Sequence, residues 1–233
     1  MTRMTTVALI PARGGSKRLP RKNILEVSGV PMLAHPILAA RKSGLFEHIY
    51  VSTEDAEVAE IAKQYGAEVI ERPLQIAEDR STVVEVCLHA LEINHDIELM
   101  CCLYATAVLL TPETIVSAHA LLGSKPEADF VMGVSEYEHP PVQALKADDN
   151  GYLSYQWPEW RGIQSQFQPH LVVSNGTFYW ARRHALLEEK TFYGQRVKGF
   201  VVPSEQVSDI DTPEDLTKII SRFAKKSCFE GIA

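Results

Sequence analysis

Nowhere does the sequence run through the roughly 18 consecutive apolar residues that a membrane-spanning helix requires. Its first residues, one arginine before a short β-rich run, also lack the apolar core and small-residue cleavage site of a secretory leader, so the expectation is a cytoplasmic protein with no membrane partner. Cysteine is scarce. Cys87, Cys101, Cys102 and Cys228 show neither CxxC spacing nor the density of a disulfide scaffold, and are expected to be reduced thiols, Cys101 and Cys102 in or beside a buried strand. The eight histidines form no HExxH or other close pair, which argues against an imidazole-bound metal. Positive charge is also short overall: a net charge of -7 argues against general nucleic-acid binding, for which a broad basic face is expected. Glycine and proline, 13 each, are too few for a collagen-like or low-complexity chain.

What remains is an ordinary globular composition over 233 residues, enough for a sizeable core. Strands are expected over Thr6–Ile10, His48–Ser52, Ala67–Ile70, Glu98–Tyr104, Asp129–Ser135 and Val197–Val202. Helices are expected from Val30 to Gly44 with Pro31 in the first turn, and over Asp55–Tyr65, Ser81–Asn94 and Thr111–Leu122. Pro36 belongs near that first helix's start or at a kink, because an interior proline costs about 3 kcal/mol. A last helix is expected after Asp211, with Thr212 as N-cap, Pro213 at its first position and Asp215 completing a capping-box-like turn. Apolar strands alternating with helices imply an α/β fold with a mainly parallel sheet. Residues 136–170, rich in turn signals, aromatics and glutamines, read as an excursion of short antiparallel strands within a single domain spanning 1–233.

Scarce overall, positive charge is concentrated in one place. The stretch "VALIPARGGSKRLPRKN" at 7–23 places Arg13, Lys17, Arg18, Arg21 and Lys22 directly after the first strand. It matches neither GxxxxGK[ST] nor GxGxxG. Gly14 and Gly15 would let backbone N–H groups approach an anion, Ser16 and Lys17 add donors, and Arg13 can fork onto phosphate oxygens while Lys17 and Lys22 act as point charges. A polyphosphate suits this loop; the competing reading is a solvated basic turn. Near the other end, "DID" sets Asp209 and Asp211 at i and i+2 of what reads as a strand end, where they share a face and suit one Mg2+. The alternative is that they cap the next helix. Arg72, with Asp79, Ser81 and Thr82 beyond it, can supply phosphate, ribose or base contacts, although Ser81 equally suits a helix N-cap. In "SNGTFYW", Asn175, Gly176 and Tyr179 suit a polyhydroxylated ligand, with Phe178 and Trp180 expected in the core.

Together these stretches resemble the CMP-nonulosonate synthetases, cytidylyltransferases that activate sialic-acid-type sugars. "IPARGGSKRLPRKN" resembles their nucleotide signature, "RP" followed by "AEDRST" their second nucleotide segment, and "SNGTFYW" and "VSDIDTPEDL" their sugar and metal segments. "CCLYATA" and "GTFYW" are most similar to pseudaminic acid cytidylyltransferases. The resemblance implies a Rossmann-like α/β nucleotidyltransferase that forms a homodimer, with 136–170 as the dimerisation excursion. It places Ala12, Arg13, Gly14, Gly15, Ser16, Lys17, Lys22 and Asn23 around CTP, with Arg72 and Ser81 nearby. Tyr104, Gln143, Asn175 and Tyr179 fall at the acidic nine-carbon sugar, and Asp209 and Asp211 become Mg2+ ligands.

The implied reaction is attack of the sugar's anomeric hydroxyl on the α-phosphorus of CTP, with Arg13, Lys22 and Asp211 as the catalytic groups. Many relatives carry "YPTAP" where this chain has "YATAV", so Ala105 and Val108 depart from the pattern beside the sugar. CMP-N-acetylneuraminate and CMP-legionaminate synthetases are the near alternatives. A nucleotide-sugar glycosyltransferase and a silent nucleotide-binding protein are the distant ones.

Overall fold

The computed structural model describes residues 5–124 and 126–230, with 224–230 described by backbone alone, so the Cys228 side chain lies outside the described residues. In chain order the elements are β1 (Thr5–Pro11), β2 (Glu26–Val27), β3 (Val30–Pro31), α1 (Ala34–Ser43), β4 (His48–Thr53), α2 (Ala56–Gln64) and β5 (Glu68–Glu71). They continue with α3 (Val83–Ile93), β6 (Ile97–Leu103), α4 (Pro112–Gly123), β7 (Phe130–Glu136), β8 (Leu145–Ala147), β9 (Leu153–Tyr155), β10 (Val172–Arg182), α5 (Arg183–Glu189), β11 (Val197–Val201) and α6 (Pro213–Glu230).

Seven strands form one sheet in the order β11-β7-β10-β6-β1-β4-β5. Only β10 runs against the rest, pairing antiparallel with both β6 and β7. Alternate residues of each strand go to opposite faces. Ala8, Ile10, Cys101, Phe178 and Trp180 pack with α1, α2 and α4, whereas Val7, Leu9, Cys102, Tyr179 and Ala181 pack with α3 and α5. Burying each large apolar side chain contributes about 1.5–3 kcal/mol. Cys87, Cys101 and Cys102 are free, buried thiols. Among the described residues no helix is long and apolar enough to cross a membrane.

Two expectations about helix starts are corrected. Pro31 lies in β3, paired with Glu26 in a small hairpin whose turn residues Ser28 and Gly29 both have positive φ. Helix α1 starts later, at Ala34, which puts Pro36 in the first turn where the backbone N–H has no helical partner to lose. Helix α3 is capped by Thr82, not Ser81: Thr82 accepts from the Glu85 N–H while Glu85 accepts from the Thr82 N–H. Between β7 and β10 the chain leaves the sheet, and β8 pairs antiparallel with β9 in that excursion.

Candidate active site

β4 and β5 lie on one side of β1 and β6 lies on the other, so the winding reverses between β1 and β6. Open α/β sheets form a crevice at the carboxyl ends of strands at such a point. Here a cleft is lined by Arg13, Ser16, Lys22, Asn23, Arg72, Ser81 and Tyr104, together with Glu78, Asp79, Ala105 and Thr106. Seven of the residues expected at the nucleotide and sugar therefore meet in one place, drawn from the loop after β1, the end of β5, the start of α3 and the end of β6.

The basic loop is fixed from below. Ala12 is buried and its N–H donates to Ser52 O (3.0 Å), extending the β1–β4 ladder. The Gly14 N–H donates to Glu54 Oε1 (2.8 Å), so this amide serves the loop's own seat and not an anion, contrary to its expected use. Around Gly15 nothing lies within 4 Å of where a Cβ would stand, which leaves that point open to a ligand. Asn23 is buried and its Nδ2 donates to Arg13 O (2.8 Å). A small third core of Leu19, Val27, Met32, Val108, Leu109, Ile210 and Ile219 ties the loop to the turn after β6 and to the segment before α6.

Every cation of the loop has an acidic partner. Asp79 joins Arg13 Nη1 (3.0 Å) and Lys17 Nζ, and Lys17 first, then Arg13, hold its carboxyl below the usual carboxylate range. Asp211 joins Lys22 Nζ (2.9 Å) and Arg18 Nη1 (2.6 Å). Arg21 pairs with Asp55 and Glu57, which makes it an anchor onto α2 outside the cleft lining. Arg72 is buried, donating from Nε to Ser52 Oγ (3.2 Å) and from Nη2 to Ser52 O (2.6 Å). Burial presses its pKa down and the nearby Glu54 carboxylate opposes that. Glu54 Oε2 is itself buried with no hydrogen-bond partner among the described residues.

Beside the cleft stands a group of rings. Tyr104 is tilted against Tyr179 (centroids 5.9 Å), and Tyr179 stacks on Phe192 (4.6 Å). Burial pushes the Tyr104 phenol far above its ordinary pKa, which favours the neutral form. The Tyr179 hydroxyl bonds Ser174 Oγ (2.6 Å) and interacts with Tyr193, whose ring is largely exposed. Phe192 and Tyr193 went unread in the sequence; only an aromatic pair before Gly194 marks them. Asn175 occupies a bulge in β10, where Gly176 has positive φ. Its amide is engaged by Thr177 and Ser135, so it shapes the bulge. Gln143 is exposed, bonded to Gln168, and does not line the cleft.

The acidic pair is arranged differently from expectation. Residues 207–211 lie in no strand, and the two carboxylates face different surroundings. Asp211 meets Lys22 and Arg18, while Asp209 lines a separate depression with Asp215, Lys218 and Arg222. Neither side chain caps α6, whose start is held by the Thr212–Asp215 capping box. Among the described residues no group of three or more His, Cys, Asp or Glu is placed to hold a metal. Mg2+ needs fewer: one carboxylate, with water and substrate phosphates completing its shell, is a common set, and Asp211 is the carboxylate beside the loop cations Lys22 and Arg18.

The family model described as "Cytidylyltransferase" matches residues 7–230. Pseudaminic acid cytidylyltransferase of Campylobacter jejuni is 33% identical over 233 residues, covering 97% of this chain and 100% of that one. CMP-N,N'-diacetyllegionaminic acid synthase of Legionella pneumophila is 34% identical over 220 residues, 91% of this chain and 93% of that one. Among solved structures, CMP:2-keto-3-deoxy-manno-octonic acid synthetase complexed with CTP superposes with a TM-score of 0.71 at 17% identity, over 95% of this chain and 99% of that one. That last likeness concerns the fold alone.

Proposed function

The chain belongs to the cytidylyltransferase family, and from that premise we propose that it transfers CMP from CTP to the anomeric hydroxyl of a nine-carbon 2-keto acid sugar, pseudaminic acid favoured. One observation carries the reading: Arg13, Ser16, Lys22, Asn23, Arg72 and Ser81 share a switch-point cleft with Tyr104, so a nucleotide and a sugar acid would meet there. The sugar hydroxyl attacks the α-phosphorus in line. A new oxygen–phosphorus bond forms as the bond to the bridging oxygen breaks, pyrophosphate leaves with that electron pair, and the hydroxyl proton is released to solvent. Most of the catalytic demand is positioning and charge neutralisation. Arg13 and Lys22 neutralise phosphate charge, Arg72 and Ser81 hold the nucleotide, and Tyr104 donates to the sugar. Tyr179, Phe192 and Tyr193 wall the sugar's side, with Asn175 acting through the bulge it holds.

Asp211 would hold Mg2+, exchanging Lys22 and Arg18 for it, and bound metal would supply charge neutralisation between phosphate oxygens. Asp209 faces elsewhere and is assigned a weaker share. The work belongs in the cytoplasm with CTP, and the excursion is assigned to a homodimer contact. The legionaminic acid relative, similar at comparable identity, supports a second sugar reading. Pyrophosphate release from CTP, measured with pseudaminic, legionaminic and N-acetylneuraminic acids, tests the proposal. Release is expected with pseudaminic acid and lost on chelating Mg2+. CTP binding without release with any acid would sink the enzyme reading in favour of a silent binder, and transfer from a nucleotide sugar would favour a glycosyltransferase.

A further inference from the structure

We propose that Asp79 is a tethered counter-anion for the phosphate-binding cations: it pairs with Arg13 and Lys17 until a polyphosphate displaces it, and returns to them as pyrophosphate leaves. The inference rests on the cytidylyltransferase reading. One Asp79 oxygen meets Arg13 Nη1 at 3.0 Å and the other meets Lys17 Nζ, so a single carboxylate spans both cations much as a phosphate would. The residue sits on the segment between β5 and α3, across the cleft from the basic loop. That segment is pinned at both ends, by the buried Arg72 bonded to Ser52 and by the Thr82–Glu85 capping box. The tether is short, so the carboxylate competes at high effective concentration.

Exposure decides whether this contact is a lock or a loan. The Lys17 side chain is 80% exposed and that of Asp79 41%, and ion pairs so open to water are weak and exchange readily. A polyphosphate that uses Arg13 and Lys17 must displace Asp79 first, which lowers its apparent affinity by the fraction of cleft left free. The nucleoside half of CTP touches neither cation and escapes that effect. Bound pyrophosphate trades its contacts at Arg13 and Lys17 for Asp79, and its departure is hastened.

Asp79→Asn keeps the shape and removes the charge. Titrating it and the wild type calorimetrically with pyrophosphate, CTP and cytidine should show the first two binding about two- to tenfold tighter in the variant, with cytidine unchanged. Pyrophosphate should also become a stronger product inhibitor, and Asp79→Glu should restore values near wild type. Unchanged or weaker binding of pyrophosphate and CTP by Asp79→Asn, with wild-type CTP binding intact, would overturn the inference alone. Wild-type protein that binds CTP no better than cytidine would overturn the family-based reading and this inference with it.

Discussion

At position 14 a hydrogen atom stands where any other residue would put a carbon 2.3 Å from Asp55 Oδ2 and 2.8 Å from Asp55 Cβ. Asp55 cannot easily give way, since its Oδ1 caps α2 and it pairs with Arg21. Gly14 is therefore required by close approach, whereas Gly15 faces open space. Gly14→Ala should destabilise the fold by about 1–3 kcal/mol through overpacking. Gly15→Ala should leave stability within about 0.5 kcal/mol and still weaken CTP binding, because the added methyl would enter the open space proposed for the ligand. Denaturant unfolding and CTP calorimetry on both variants separate the two roles; equal stability losses would reject the distinction. The pair looks symmetrical in sequence. What breaks the symmetry is a segment 40 residues away, where Glu54 takes the Gly14 N–H and Asp55 fills the space beside the Gly14 Cα.

Among the elements, α3 shows how local chemistry frees a side chain for the site. With Thr82 serving the helix end, the Ser81 hydroxyl keeps, among the described residues, only a long contact to Gln75 O (3.4 Å), and Ser81 lines the cleft. Thr82→Ala should cost about 1 kcal/mol of stability and loosen CTP binding secondarily, whereas Ser81→Ala should lower CTP affinity at unchanged stability; the reverse pattern would restore Ser81 as the cap. The signal for this was present as T-x-x-E at Thr82–Glu85, but two adjacent hydroxyl residues read alike. Most strands and caps were legible because apolar runs and capping residues act within a few positions. Pro31 was misread because the apolar spacing from Val30 onward resembles a helix and hides the Ser28-Gly29 turn. The "DID" segment was misread for the opposite reason: its place is set by Ile210 packing with Leu19, Met32 and Val108, contacts invisible to local pattern. The pairing of Arg13 and Lys17 with Asp79, and the approach of Tyr193 to Tyr179, likewise join separate parts of the chain.

For the whole molecule, apolar surface is concentrated on the excursion. Leu145, Tyr152, Leu153, Trp157 and Phe167 are all exposed there. So much exposed apolar surface on one segment suits a partner, and a second copy of the chain is the proposed one. Sedimentation velocity at micromolar concentration should give a dimer, and Trp157→Asp with Phe167→Asp should dissociate it; a wild-type monomer would reject the assignment.

The antiparallel strand has a consequence for how the chain is made. β6 is finished at Leu103, but its neighbour on one side, β10, begins only at Val172. At about 5–20 residues per second of synthesis, that edge stays unpaired for several seconds. It belongs to an apolar strand, "IELMCCL", that contains no proline. Open edges of this kind template association between chains. The order of synthesis therefore leaves this edge open to association between chains before the finished packing covers it.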